Sequence, residues 1–293
     1  MVTSEGDRMK RTQASITAQG IAFVRALESS KPAGERICYD PLARQLISPT
    51  FYLLCKLSAG YAERKEPGVL GFLAARCRYI DDYLQTCLET GLDQLVILGA
   101  GLDSRAYRFE QLAGRVRVFE VDHPATQQVK LGKLRKIFGE VPEHVTYVPI
   151  DFNEETLQKL FDFDYNPQIK TLFIWEGVVH YITAEAVDQT LEFVLKNSAP
   201  GSSIIFDYVY TSALTTARKR EEIARIQRAK RYTGEGLIFG IEEGQVEAFL
   251  RARGYTQVKN VANEDLKRLY FTGVNQTRAI APIYAIAHAI VQG

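Results

Sequence analysis

The sequence predicts an α/β protein: a Rossmann-like, doubly wound, mostly parallel sheet behind an N-terminal helical cap. Three observations carry this expectation. The apolar run Leu95-Val-Ile-Leu-Gly-Ala-Gly-Leu-Asp-Ser-Arg105 reads as a strand buried on both faces that ends in a tight turn. The stretch Val116-Arg-Val-Phe-Glu-Val-Asp122 is a second strand delivering carboxylates; they come about twenty residues after the turn, the spacing of a βαβ nucleotide-binding unit. From Leu92 onward, apolar strands alternate with segments of helical period, which places helices on both faces of one sheet.

The elements follow in order. Residues 1–90 form the expected cap, and residues 91–293 the core, with a helical insertion near 211–242. Thr12 to Leu27 has apolar residues at helical spacing, and Pro32-Ala-Gly34 breaks the pattern. Asp40-Pro41 starts a second helix, with proline suited to the first turn. Gly68 to Leu88 is the clearest helix, because Leu73, Cys77, Ile80, Leu84 and Cys87 fall on one face. Arg76 lies within about 60° of Leu73, while Arg78 points to solvent. An arginine flanking a buried stripe has to meet an anion, since an unpaired buried charge is costly.

In the core, a helix from Pro124 to Phe138 precedes a third strand, Val145 to Asp151. The fourth strand is Lys170 to Glu176, and the fifth is Ser203 to Tyr210, joined by a helix from Thr183 to Asn197. A charged helical insertion, Ala213 to Tyr232, comes next. A helix from Glu243 to Arg253, a strand from Tyr255 to Val261 and a final strand from Pro282 to Val291 complete the series.

Bulk properties exclude several classes. With 36 Lys and Arg against 35 Asp and Glu, the formal charge is +1, so no electrostatic pull toward nucleic acid follows. The longest apolar run, Ile280 to Ala287, is interrupted by Pro282 and is too short to cross a membrane. The start of the chain lacks the apolar stretch of a signal peptide, and Cys38, Cys55, Cys77 and Cys87 form no C-x-x-C pair. Reduced thiols in a cytoplasmic protein are expected. The four histidines lack metal-ligand spacing, so no metal is expected.

Ligands of open α/β sheets bind outside the carboxyl ends of the strands. That rule predicts one crevice holding Gly99, Gly101, Glu120, Asp122, Asp151 and Glu176. Gly99 and Gly101 let a ligand approach the backbone, and the acids at the second strand's end suit ribose hydroxyls. The third glycine of G-x-G-x-x-G is Ser104, so the diphosphate-binding form of the loop is incomplete. S-adenosyl-L-methionine, which has a ribose and no phosphate, therefore fits better than NAD.

Three stretches then carry a resemblance: Val96-Ile-Leu-Gly-Ala-Gly-Leu-Asp-Ser-Arg-Ala-Tyr-Arg108, Phe119-Glu-Val-Asp-His-Pro124 and Trp175-Glu-Gly-Val-Val-His-Tyr181. With Ala74-Ala-Arg-Cys-Arg-Tyr-Ile-Asp-Asp82, the sequence resembles the leucine carboxyl methyltransferase family over roughly residues 35 to 210. That family includes protein phosphatase methyltransferases and O-methyltransferases of secondary metabolism. The resemblance implies a class I methyltransferase fold and methyl transfer to an oxygen, carboxylate or hydroxyl, of a small molecule. Methyl esterification of a protein C-terminus is the nearest alternative. An NAD-dependent oxidoreductase and a non-catalytic cofactor-binding protein are the readings from other classes.

The resemblance also implies roles. Arg76 would pair with the cofactor's carboxylate, and Gly99 and Gly101 would lie against the cofactor. Asp122, with Glu120 nearby, would take the ribose, while Asp151 and Phe152 would flank the adenine. Glu176 would close the methionine end, and Tyr181 would face the substrate. Two roles stay open for His180, a structural one and that of a general base.

Overall fold

The computed structural model describes residues 5–152, 154–215 and 237–292, with side chains from residue 17 onward. Its seven strands are β1 (Gln94–Leu98), β2 (Arg117–Asp122), β3 (Val145–Pro149), β4 (Thr171–Trp175), β5 (Ser203–Val209), β6 (Tyr255–Val261) and β7 (Tyr284–Val291). They form one sheet in the order β3-β2-β1-β4-β5-β7-β6. The first five are parallel, and β7 runs antiparallel between β5 and β6. The expected mostly parallel, doubly wound sheet is thus present. The strand order reverses between β1 and β4, which is where such sheets open a ligand crevice.

Chemistry explains the burial of the central strands. β1 and β4 are buried at every residue, as the runs Gln-Leu-Val-Ile-Leu and Thr-Leu-Phe-Ile-Trp require with helices on both sides. β6 alternates buried ends with exposed positions, fitting its place at the sheet edge. Trp175, Phe173 and Phe206 lie on one face with α7 (Ala184–Lys196), whereas Ile97, Leu172 and Ile174 pack on the other with the cap.

The cap has more pieces than its sequence suggests. α1 (Glu5–Ser29) extends beyond both expected ends. The helix expected from Asp40-Pro41 is only the short α2 (Ala43–Leu46): the Asp40 carboxylate accepts from the amides of Leu42 and Ala43, both at 3.0 Å, ahead of its start, and the backbone turns extended at Ile47. A separate α3 (Pro49–Lys65) follows, capped by the Ser48 hydroxyl with proline in its first turn. α4 (Val69–Glu89) matches expectation within a residue or so, starting after Gly68. Gly68 has φ +87°, and a Cβ there would sit 2.4 Å from the Ile280 carbonyl carbon, so only glycine fits.

Further on, α5 (Arg105–Arg108) is a single turn and α6 (Pro124–Phe138) follows β2 as expected. α8 (Val246–Arg251) is shorter than its expected range, and α9 (Asn263–Tyr270) has no counterpart in the sequence reading. Residues 216–236 of the expected insertion lie outside the described residues. Among the described residues no helix is long and apolar enough to cross a membrane.

Candidate active site

A cleft of about 210 Å³ opens at the carboxyl ends of β1, β2 and β4. Its floor is the loop Gly99 to Asp103, with Asp122 and His123 on one side and Glu176 to Val178 on the other. Phe152 and Tyr181 stand at its rim, and Thr17, Ala18, Ile21 and Arg25 of α1 wall it.

The glycine side is built from backbone. Gly99 has φ +65°, and a Cβ there would come within 2.4 Å of the Val178 methyl Cγ2. Gly101 has φ +43°, so the turn is left-handed at both glycines. The Gly101 amide donates to Asp122 Oδ2, and the His123 amide donates to Oδ1 at 2.6 Å. Burial raises the Asp122 carboxyl above its ordinary range, opposed by these two amides. His123 caps α6, with Nδ1 accepting from the Ala125 amide at 3.1 Å. Its other nitrogen lies 3.5 Å from Asp151 Oδ2.

The opposite side is built from buried charge. Glu176 Oε1 accepts from Arg76 Nε at 3.0 Å, and Oε2 accepts from Arg105 Nη1 at 2.6 Å. Arg105, with no exposed surface, also donates to Asp81 at 2.7 Å and to Asp103. Burial raises the Glu176 carboxyl, but Arg105 and then Arg76 outweigh it and hold it below the usual carboxylate value. Asp103 behaves alike: burial opposes ionisation, and Arg105 and Arg25 depress it well below the ordinary range. Both acids are therefore ionised near neutral pH.

Of the residues expected in the crevice, Gly99, Gly101, Asp122, Phe152, Glu176 and Tyr181 line it together. Four do not. Glu120 shares the face of Asp122 but sits one period deeper, paired with Lys130 Nζ at 2.7 Å. It is 1% exposed, and burial raises its carboxyl to about 7, so its place is beneath the loop. Asp151 is not itself in the cleft lining but faces His123, which is. Arg76 finds its anions within the chain, Glu176 and, at 2.6 Å, Asp207 Oδ2. His180 is 4% exposed, with Nδ1 unpartnered among the described residues, and burial lowers its pKa to about 4. Its backbone carbonyl accepts from the Ile238 amide at 2.8 Å. A histidine this buried and this weakly basic is poorly suited to take a proton.

Sequence reasoning missed Arg25, His123 and Val178. Arg25 Nη2 donates to the Leu102 carbonyl, and Nε lies 3.2 Å from Asp40. Asp40 also accepts from the Ser104 hydroxyl at 2.6 Å, which ties cap to glycine loop. A signal existed: Arg25 is a single cation within Ile21-Ala-Phe-Val-Arg-Ala-Leu27, the pattern that marked Arg76.

The residues present fit S-adenosylmethionine on two observations. The turn after Ser104 is only the four-residue α5, so no long helix aims its amino terminus at a diphosphate. Arg76 Nη2 is buried without a hydrogen-bond partner among the described residues, about 3.7 Å from where a Gly177 Cβ would stand. That unspent donor behind the cleft floor suits a carboxylate.

The fold is that of the class I methyltransferases. A crystal structure from Thermobifida fusca YX, named for methyltransferase activity, superposes with a TM-score of 0.58 at 16% identity, covering 94% of each chain. A DUF574 family protein from Streptomyces avermitilis MA-4680 superposes with a TM-score of 0.56 at 15% identity, covering 92% of this chain and 96% of that one. The chain belongs to the leucine carboxyl methyltransferase family, which matches residues 18–195. YktD of Bacillus subtilis (strain 168), named as an S-adenosyl-L-methionine-dependent methyltransferase, is 30% identical over 96% of this chain and 99% of its own. A Mycobacteroides abscessus protein named for the same activity is 32% identical over 69% of each chain. The chain is accordingly an S-adenosylmethionine-dependent methyltransferase.

Proposed function

We propose that this enzyme methylates an oxygen of a small organic molecule, and that the oxygen belongs to a carboxylate. One observation carries the reading: no base stands ready beside Tyr181 among the described residues. His180 is buried off the cleft with its pKa near 4. Asp103 and Glu176 are held ionised by arginines, and His123 uses Nδ1 to cap α6 at the other side. A carboxylate acceptor needs no proton removed, since its reference pKa is about 4, whereas a hydroxyl usually needs a base.

The cofactor supplies an electrophilic methyl group when bound. What the chain must do is place the acceptor in line and keep water out. Asp122 takes the ribose hydroxyls on lone pairs left free by the Gly101 and His123 amides. Asp151 and Phe152 flank the adenine at the rim, Arg76 and Glu176 hold the amino-acid end, and Tyr181 orients the acceptor. A small acceptor in a cytoplasmic enzyme of secondary metabolism agrees with the family's range.

The test is a screen of small carboxylic acids and phenols with isotopically labelled cofactor. A carboxylate acceptor gives an ester that releases methanol in mild alkali, with a rate level from about pH 6 upward. Tyr181→Phe loses more turnover than His180→Ala, through misplaced substrate. An alkali-stable product, with a rate that climbs through neutral pH and collapses in His180→Ala, overturns the reading in favour of hydroxyl methylation.

A further inference from the structure

β5 carries a carboxylate in the middle of a strand that is buried at every residue. Asp207 has no exposed surface, and it is flanked by β4 on one side and β7 on the other. Such a group is tolerated only when its oxygens are bonded. Both are: Oδ1 accepts from the Gly177 amide at 2.6 Å, and Oδ2 accepts from Arg76 Nη1 at 2.6 Å. One carboxylate thus ties a residue of the cleft floor to an arginine behind it. Gly177 lines the cleft and has φ +72°, so its turn is held by this amide bond as well as by its conformation.

The guanidinium of Arg76 is divided three ways. Nε is used by Glu176, Nη1 by Asp207, and Nη2 has no partner among the described residues although it is buried. A planar guanidinium fixed at two of its nitrogens has its third direction set. Asp207, together with Glu176, therefore sets where the remaining N–H groups point.

We propose that Asp207 is a positioning residue that aims the free N–H groups of Arg76 past Gly177 at the carboxylate of the bound cofactor. This rests on the placement of that carboxylate at Arg76 in the proposed function. A purely structural carboxylate would affect every ligand of the cleft alike. A positioning residue affects only ligands that carry the carboxylate.

The experiment is calorimetric titration of the full chain with S-adenosylhomocysteine and with 5′-methylthioadenosine, which lacks the amino-acid end. The variants are Asp207→Asn, Asp207→Glu and Arg76→Ala, each checked for folding by thermal melting. Asp207→Glu keeps the buried charge and displaces it by one methylene, so it serves if Asp207→Asn does not fold. The Asp207 variants are expected to weaken S-adenosylhomocysteine about tenfold or more and methylthioadenosine less than about twofold. Equal weakening of both ligands, or of neither, in a folded Asp207 variant overturns the proposal while Arg76→Ala still discriminates. If Arg76→Ala itself fails to discriminate, the cofactor's orientation is wrong and the proposal falls with it.

Discussion

At its glycine side the cleft is held by backbone amides from one stretch of chain, Gly99 to His123. At its Glu176 side it is held by side chains from α1, α4, the loop before α5, α5 itself, the end of β4 and β5. The first arrangement is local: Asp122 and Gly101 are neighbours through the βαβ unit. The second spans separations of 100 residues between Arg76 and Glu176 and 131 between Arg76 and Asp207. Amides are positioned by turn geometry, so that end can be loosened without unfolding the protein. Buried charges depend on one another, because removing one partner strands the rest in low dielectric.

The largest effect is expected at the charged side. Arg105→Ala leaves Asp81, Asp103 and Glu176 without their shared cation and should cost about 3–5 kcal/mol of stability. Urea denaturation checks this; a loss below about 1 kcal/mol would show that the network reorganises and that the contrast between the two sides is overstated.

Acid should act on the same side next. The His180 pKa is about 4 in the folded chain against an ordinary value of 6.5. The folded state thus binds fewer protons between these values, and the stability is fully present above pH 6.5 and lost as pH falls toward 4. At pH 5 the share of His180 is about 2 kcal/mol. His288, also lowered to about 4 by burial, adds a loss of the same sign. Glu120, raised to about 7, works the other way, its stability present below about 4.5 and lost as pH rises through 7. Urea midpoints at pH 7 and pH 5 should therefore lie closer together in His180→Gln than in the parent chain, and an unchanged gap would remove His180 as a source.

On the glycine side, Asp122→Ala should weaken S-adenosylhomocysteine by about 1–3 kcal/mol with a smaller change in melting temperature. A stability loss as large as that of Arg105→Ala would mean that the two sides of the cleft are equally bound up with the fold. The smallest effect is expected at Arg78, whose pair with Asp82 at 2.8 Å is about half exposed on both partners. Arg78→Ala should change stability by less than about 1 kcal/mol and leave cofactor binding unchanged, as titration and melting would show.

The same contrast explains what was legible. The parallel strands β1 to β5 and the Gly99–Asp122 unit were readable because buried runs and turn residues are local signals. Arg76 could be marked as needing an anion, yet its partners could not be named, since helical phase says which face a residue occupies and nothing about what β5 brings opposite. Glu120 was placed in the crevice because it shares a face with Asp122, but parity does not tell the last residue of a strand from the one a period deeper. α2 ends where Ile47 turns extended, which no residue of the sequence marks, and α9 was missed where its polar residues left a single buried leucine, Leu266. The final strand was legible as a strand; its antiparallel place between β5 and β6 was not.

That placement has a consequence for the order of assembly. β6 precedes β7 in the chain, yet among the described residues β6 pairs only with β7, and β7 pairs with β5. During synthesis, residues 255–261 emerge with no strand to join, and they wait until residues 284–291 have followed. The nucleotide-binding half of the sheet has no such delay, because its strands are all made earlier. A ribosome paused between these two segments should therefore hold a chain whose glycine loop is already ordered, with β6 unpaired and the outer edge of β5 also open to chaperones.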